Sequence, residues 1–142
     1  MALVVQVLKH KGYTVYSIDP NQRVFEAVQL MAQYGVGALL VMQDGQLLGV
    51  VSERDYARKV ILQGRSSNDT AVRQIMSSPV LTVRPDQSVS ECMQIMTDNR
   101  VRHLPVVEDQ RVLGVLSIGD LVRTVLEEQQ QTIEQLEQYI RG

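Results

Sequence analysis

Apolar residues along the 142-residue chain fall into two textures: short runs of branched residues, and stretches where they recur every three or four positions. The first texture predicts strands and the second predicts helices with one buried face. Val15–Ile18 predicts a short strand that ends at Pro20. A helix follows, with Val24, Ala27, Val28 and Met31 at helical spacing. Ala38–Met42 and Leu47–Val51 predict a hairpin turning at Gln43-Asp44-Gly45, and Asp-Gly is a strong hairpin signal. Glu53–Leu62 predicts a second helix.

The same order then returns. Val80–Val83 predicts a strand, and Val89, Cys92, Met93 and Met96 mark a helix. Leu104–Val107 and Val112–Leu116 predict a hairpin, and Ile118–Leu126 a closing helix. Sliding the chain by 65 residues aligns Val15–Val60 with Val80–Val125 without a gap, and eighteen of the 46 positions are identical. Ordinary composition would give about three. The chain is therefore a duplicated β-α-β-β-α unit. The polar, turn-rich stretch Gln63–Thr70 reads as a linker. The expected organisation is a first repeat over 5–62, the linker over 63–70, a second repeat over 71–126 and a C-terminal helix over 127–142. A repeat of about 50–60 residues buries little surface alone, so the two are expected to pack together. Outside the ungapped region, Val72-Arg73-Gln74-Ile75-Met76 resembles Val5-Gln6-Val7-Leu8-Lys9 once two extra residues are allowed in the first copy.

Composition narrows the possibilities. The chain is 44% hydrophobic but only 4% aromatic, with no Trp, so its core must be aliphatic. Fourteen basic and sixteen acidic residues give a net charge of −2, which argues against a general basic field for DNA or RNA. Cys92 is the sole cysteine, which excludes an internal disulfide and fits a reducing compartment. It aligns with Ala27 on a core face, where a small residue packs. The first residues lack a basic leader and a small-residue cleavage site, and no apolar run approaches the roughly 20 residues that span a bilayer. A soluble, cytoplasmic protein without a membrane partner is expected. His10, His103 and Cys92 show no paired metal-ligand spacing. No phosphate loop, zinc-protease motif or nucleophile elbow occurs, so neither a metal nor a catalytic residue is expected.

The sharpest local pattern is Gly49-Val50-Val51-Ser52-Glu53-Arg54-Asp55, matched by Gly114-Val115-Leu116-Ser117-Ile118-Gly119-Asp120. In each copy a buried strand hands over to a helix. Ser-x-x-Asp at such a place is a capping box, with the Ser hydroxyl satisfying a free helix N–H. The same geometry also suits a nucleotide. A helix N-terminus favours phosphate through its free N–H groups and partial positive charge. The carboxylate can accept hydrogen bonds from both hydroxyls of a ribose, and the Ser can bond sugar or phosphate. The residues alone leave both readings open.

Duplication, element order and a G-h-h-S-x-x-D motif (h, apolar) closing each copy together resemble a tandem pair of CBS domains, a Bateman module, over roughly residues 5–126. The resemblance implies an α/β fold: two β-α-β-β-α repeats packed about a pseudo-two-fold axis, with two clefts that bind adenosine-containing ligands. It implies a regulatory role without catalysis. Carried onto this chain, one cleft would use Ser52, Arg54 and Asp55, and the other Ser117, Gly119 and Asp120, each Asp holding a ribose. Arg54 adds a phosphate partner where Gly119 adds only room, so the two sites should differ. Related modules direct basic residues at the entrance of the Leu104–Val107 strand toward phosphates. Arg102 and His103 occupy that place, and the donor fork of Arg suits the task. Their counterparts Gly37 and Ala38 would let a ligand or the opposite backbone approach closely. Tyr13 and Val80 lie where such modules contact the base or the phosphate. AMP is the first ligand expected, with ATP and NAD as alternatives, and the signal would pass to a separate effector protein. The rival is an interaction or dimerisation scaffold that takes no physiological nucleotide.

At the C-terminal end Val122, Leu126, Gln129, Ile133, Leu136 and Ile140 are spaced 4, 3, 4, 3, 4. This is a heptad seam with one polar position, and it predicts a homodimer held partly by C-terminal helices.

Overall fold

A leading helix outside the predicted elements comes first, and the elements that form after it keep the predicted order. The computed structural model describes residues Met1 to Gly142. In chain order it contains α1 (Val4–Lys11), β1 (Ser17–Ile18), α2 (Val24–Tyr34), β2 (Ala38–Gln43), β3 (Gln46–Ser52) and α3 (Glu53–Tyr56). After these come α4 (Val89–Asn99), β4 (His103–Glu108), β5 (Arg111–Ser117) and α5 (Ile118–Arg141). The two hairpins, β2–β3 and β4–β5, are antiparallel, and each shifts register at the same place, Val41/Met42 in one and Val106/Val107 in the other. At their tips Asp44 and Gly45, and Asp109 and Gln110, take positive φ, the turn geometry whose twist matches the strands.

Three elements depart from expectation. β1 is only two residues long and runs parallel to β2. The predicted strand Val80–Val83 does not form, and only Val83 bridges Val106. Its N–H donates to the Pro105 carbonyl at 3.0 Å, and its carbonyl accepts from Val107 at 2.8 Å. The chain passes from one compact unit to the other between Leu81 and Thr82, so no single sheet can take up the whole run. The helix predicted over Glu53–Leu62 is α-helical only to Tyr56 and continues as a wider π turn, Ala57–Ile61. Its counterpart α5 instead runs unbroken for 24 residues, joining the predicted last helix of the repeat to the predicted C-terminal helix.

The compact units do not follow the contiguous division 5–62, 63–70 and 71–126. One comprises Val15–Leu81, and the other joins Met1–Thr14 to Thr82–Gly142. Burial supplies the reason. Val4, Val7 and Leu8 line one face of α1 and are buried with Val83, Leu104 and Leu121, in the second hairpin's core. Val72 and Ile75 are buried with Ile18, Val24 and Leu39, in the first hairpin's core. The segment preceding each repeat therefore completes the other one. Nor is 63–70 a free tether. Ser67 accepts the Phe25 N–H at 3.0 Å, and buried Thr70 donates to the Ser66 carbonyl at 2.7 Å.

The two completing segments make matching bonds. Val4 and Val5 donate to the carbonyls of Gln87 and Pro85 at 2.9 and 3.0 Å, as Val72 and Arg73 donate to those of Gln22 and Pro20 at 2.8 and 2.9 Å. Val4 thus corresponds to Val72 and Leu8 to Met76, an offset of 68, so the first copy carries three extra residues rather than the two expected from sequence. Cys92 is fully buried, as expected of a core residue, and burial, with a contribution from Glu91, pushes its thiol up to about 11.

Matching glycines admit the completing segments. A Cβ on Gly49 would lie 2.7 Å from the Ser77 carbonyl oxygen and 3.0 Å from Met76 Sδ. On Gly114 it would lie 2.8 Å from Leu8 Cδ2, the end of a rotatable side chain. Backbone cannot yield as a methyl group can. Gly49→Ala should therefore destabilise the protein by about 1–3 kcal/mol, and Gly114→Ala by clearly less. Urea midpoints of the two variants test the order, and equal or reversed losses would refute the close-approach account.

Candidate functional site

Each copy builds a corner where the last strand of its hairpin becomes a helix. In the first, Ser52 ends β3 and caps α3. Its Oγ accepts the Asp55 N–H at 3.2 Å, while Asp55 Oδ2 accepts the Ser52 N–H at 2.9 Å and the Ser52 hydroxyl at 3.0 Å. Glu53 donates its N–H to the Gly37 carbonyl at 3.0 Å, and Ala38 pairs with Ser52 in the sheet. Gly37, Ala38, Ser52, Arg54 and Asp55 thus share one corner. Lys59, one turn further along, reaches Asp55 Oδ1 at 3.1 Å and donates to the Ile75 carbonyl at 2.9 Å.

The second corner repeats the plan. Asp120 Oδ2 accepts the Ser117 N–H at 2.8 Å, and Ser117 Oγ accepts the Asp120 N–H at 3.2 Å. Ile118 donates to the Arg102 carbonyl at 2.9 Å, and His103 pairs with Ser117. Arg102, His103, Ser117, Gly119 and Asp120 therefore come together as well. Both capping boxes are closed, so the structural reading of Ser-x-x-Asp holds. A ribose would have to share or replace bonds that each carboxylate already accepts.

The corners differ in the cation that meets the carboxylate. In the first, the Val50 carbonyl accepts the Ser77 N–H at 2.9 Å. In the second, the three extra residues lengthen α1, and Lys11 from its last turn donates to the equivalent Val115 carbonyl. The same ammonium lies 2.6 Å from Asp120 Oδ2, and Arg123 lies 3.6 Å from Oδ1. Asp120 is only 8% exposed. Burial alone would raise its pKa, but the Lys11 and Ser117 hydrogen bonds and the Lys11 charge outweigh it and hold the carboxyl below its ordinary value. Burial and the Lys11 charge push the His103 imidazole down. At neutral pH it is a neutral ring that offers hydrogen bonds, and the positive charge of this corner comes from Lys11, Arg102 and Arg123.

Tyr13 is exposed, two residues beyond Lys11 and in the unit that holds Asp120. Val80 lies in the other unit, on the stretch after Ser77. Neither belongs to the hydrogen-bonded network of its corner. Sequence reasoning placed Lys11 in the Leu8–Tyr13 stretch where related modules contact base and phosphate, but assigned neither lysine to a carboxylate. Lys59 was legible as the i+4 partner of Asp55. Lys11, 109 residues from Asp120, leaves no local signal. A shallow hollow along α2, lined by Gln22, Glu26 and Leu30 among others, contains none of the candidate residues. No helix is long and apolar enough to cross a membrane.

A family model described as the CBS domain matches residues 12–61 and 72–127. The CBS domain-containing protein CBSX3, mitochondrial, of Arabidopsis thaliana is 47% identical over 148 residues, covering 98% of this chain and 72% of that protein. Its name gives the cytoplasmic expectation no support. A solved CBS-domain protein from Burkholderia ambifaria MC40-6 is 48% identical with a TM-score of 0.86, over 90% of this chain and 96% of that one. The CBS domain pair of protein MJ0100, solved in complex with 5′-methylthioadenosine and S-adenosyl-L-methionine, shares the fold at 23% identity. Its TM-score is 0.80, over 90% of this chain and 98% of that one.

The Lys11–Asp120 pair fixes a pH dependence. A lowered carboxyl pKa contributes stability that is complete above the unfolded value, near pH 4, and is lost as pH falls through the lower folded value. Lys11→Met removes the compensating charge and leaves the burial, so the Asp120 pKa should rise and its contribution should be lost at a higher pH. Carboxyl-carbon NMR titration of both forms measures this, and an unchanged Asp120 titration would refute the assignment of Lys11 as its controlling partner.

Proposed function

The chain belongs to the CBS-domain family, and on that premise we propose that it is a regulatory, non-catalytic module that senses an adenosine-containing ligand through its two strand-to-helix corners. The observation that carries this reading is the recurrence of one constellation: a carboxylate one turn into a helix, a capping hydroxyl, and cations within reach. Such a corner can hold a ribose by its two hydroxyls and a phosphate by the flanking charges. AMP fits first, with ATP and NAD as larger alternatives. S-adenosylmethionine enters as a candidate because a CBS pair of the same fold is known with it. That ligand is itself cationic, so the corner richer in positive charge should disfavour it.

The two corners would answer differently. At Asp120 a ribose that replaces the Lys11 bond frees that ammonium to meet a phosphate. Displacement loosens the end of α1 from β5, and a ligand that favours one such arrangement shifts the population toward it. At Asp55 the competing Lys59 is half exposed and also donates to the Ile75 carbonyl, so its release would act on the 72–76 segment and not on α1. The signal passes to a separate effector protein, and the module acts as a homodimer. The one hydroxyl that donates to a corner carboxylate, Ser52 to Asp55, also accepts the Asp55 N–H and is engaged in closing the helix cap. ATP or NAD incubated with the protein and Mg²⁺ should be recovered unchanged over hours, and turnover abolished by a corner substitution would overturn the non-catalytic reading.

Each Asp should contribute charge-assisted bonds of roughly 1.5–3 kcal/mol to the sugar. Asp55→Ala or Asp120→Ala should therefore weaken binding at its own corner about ten- to a hundredfold. Arg54→Ala should weaken phosphate-bearing ligands and leave adenosine nearly unaffected. Calorimetric titration of AMP, ATP, NAD, S-adenosylmethionine and adenosine into wild type and variants measures these effects. A purely structural capping role would lower the melting temperature of each Asp variant and leave affinity untouched. Absence of binding to wild type at millimolar ligand would remove the nucleotide reading.

A further inference from the structure

From its second turn onward α5 carries large aliphatic side chains that its own unit does not cover. Leu126 is 59% exposed, Ile133 48%, Leu136 56% and Ile140 81%. With Val122 and Gln129 they make one stripe at alternating four- and three-residue steps along an unbroken helix. A stripe of this period matches a left-handed two-helix supercoil. In heptad terms Leu126, Ile133 and Ile140 take the a positions, and Val122, Gln129 and Leu136 the d positions.

This inference rests on the homodimer reading above and deepens it. We propose that α5 pairs with α5 of a second copy, parallel and in register, so that Gln129 faces Gln129 of the partner subunit. Three observations select this arrangement. In register, the C-terminal half of the stripe sets Ile133 and Ile140 against their own kind at a and Leu136 at d, the combination that favours two parallel strands. The Gln129 amide then faces an identical amide, whose donor and acceptor complement its own. An unrelated helix carries no such guarantee. Antiparallel pairing would set Gln129 against Ile133 of the partner subunit and leave two amides without partners. Its compensation would be an ion pair between Arg123 and Glu137 of the partner subunit. Arg123 already lies 3.6 Å from Asp120 Oδ1, and an exposed pair contributes little. Glu127, Glu128 and Glu134 fall at b and c, outside the seam, and Glu137, at e, would face Thr132 of the partner subunit at g, so two copies bring no like charges together across it.

The test uses the full chain with Cys92→Ala, the residue the equivalent core position 27 already carries. Sedimentation should give a dimer, and Ile133→Glu, at an exposed position, should raise its dissociation constant at least tenfold while the hydrogen-exchange protection of the two hairpins stays as in wild type. Gln129→Cys should cross-link to itself on mild oxidation, and a mixture of Leu126→Cys and Leu136→Cys chains should yield no mixed disulfide. A mixed disulfide with no Gln129→Cys cross-link would overturn the parallel register but keep the dimer. A dimer indifferent to Ile133→Glu would place the interface elsewhere and overturn the coil. A monomeric wild type that instead binds a basic amphipathic peptide on this stripe would overturn the proposal, and a monomer of any kind would remove the homodimer reading with it.

Discussion

The structure depends on the fact that a two-stranded hairpin buries only what is laid against it. Each hairpin here is strongly apolar on one face, with Leu39, Val41 and Val51 buried in one copy and Leu104, Val106 and Leu116 in the other. The helices of one repeat do not complete the cover. The missing piece comes from the segment that precedes the other repeat, α1 in one unit and residues 72–76 in the other. Gly49 and Gly114, at matching strand positions, leave the space into which Met76 and Leu8 fit. Repeat boundaries in sequence and compact units in space therefore diverge, because duplication copies residues while folding responds to exposed apolar area.

The same exchange sets the chemistry of the corners. Three additional residues before the first repeat extend α1 by about one turn, and that turn carries Lys11 to Asp120. The copy without them closes the same strand edge with a backbone bridge between Val50 and Ser77. A small difference in length thus replaces a main-chain contact with a charged one beside the Asp120 carboxylate. The internal asymmetry of the pair follows from this insertion more than from the Arg54/Gly119 difference that is visible within the motif.

Much of this was legible in the chain. The ungapped offset gave the element order. The apolar runs placed the hairpin strands within a residue or two, because branched residues between Asp-Gly or Asp-Gln turns admit few alternatives. Ser52 with Asp55, and Ser117 with Asp120, announced their capping boxes because capping is local. What escaped was non-local. Val4, Val7 and Leu8 are spaced as a helical face, yet nothing in them says which hairpin they will cover. Val80–Val83 reads as a strand by composition, but the chain changes units in its middle. The π turn at Ala57–Ile61 has no sequence mark that separates it from an ordinary helix.

Tandem linkage has a consequence for abundance. If the two repeats were separate chains, each would be completed only by encounter, and the completed fraction would rise and fall with expression. On one chain the exchange is intramolecular, at an effective concentration that short connections hold in the millimolar range. Both units are then complete at any cellular level of the protein. Its copy number can vary widely without leaving the core of either unit uncovered.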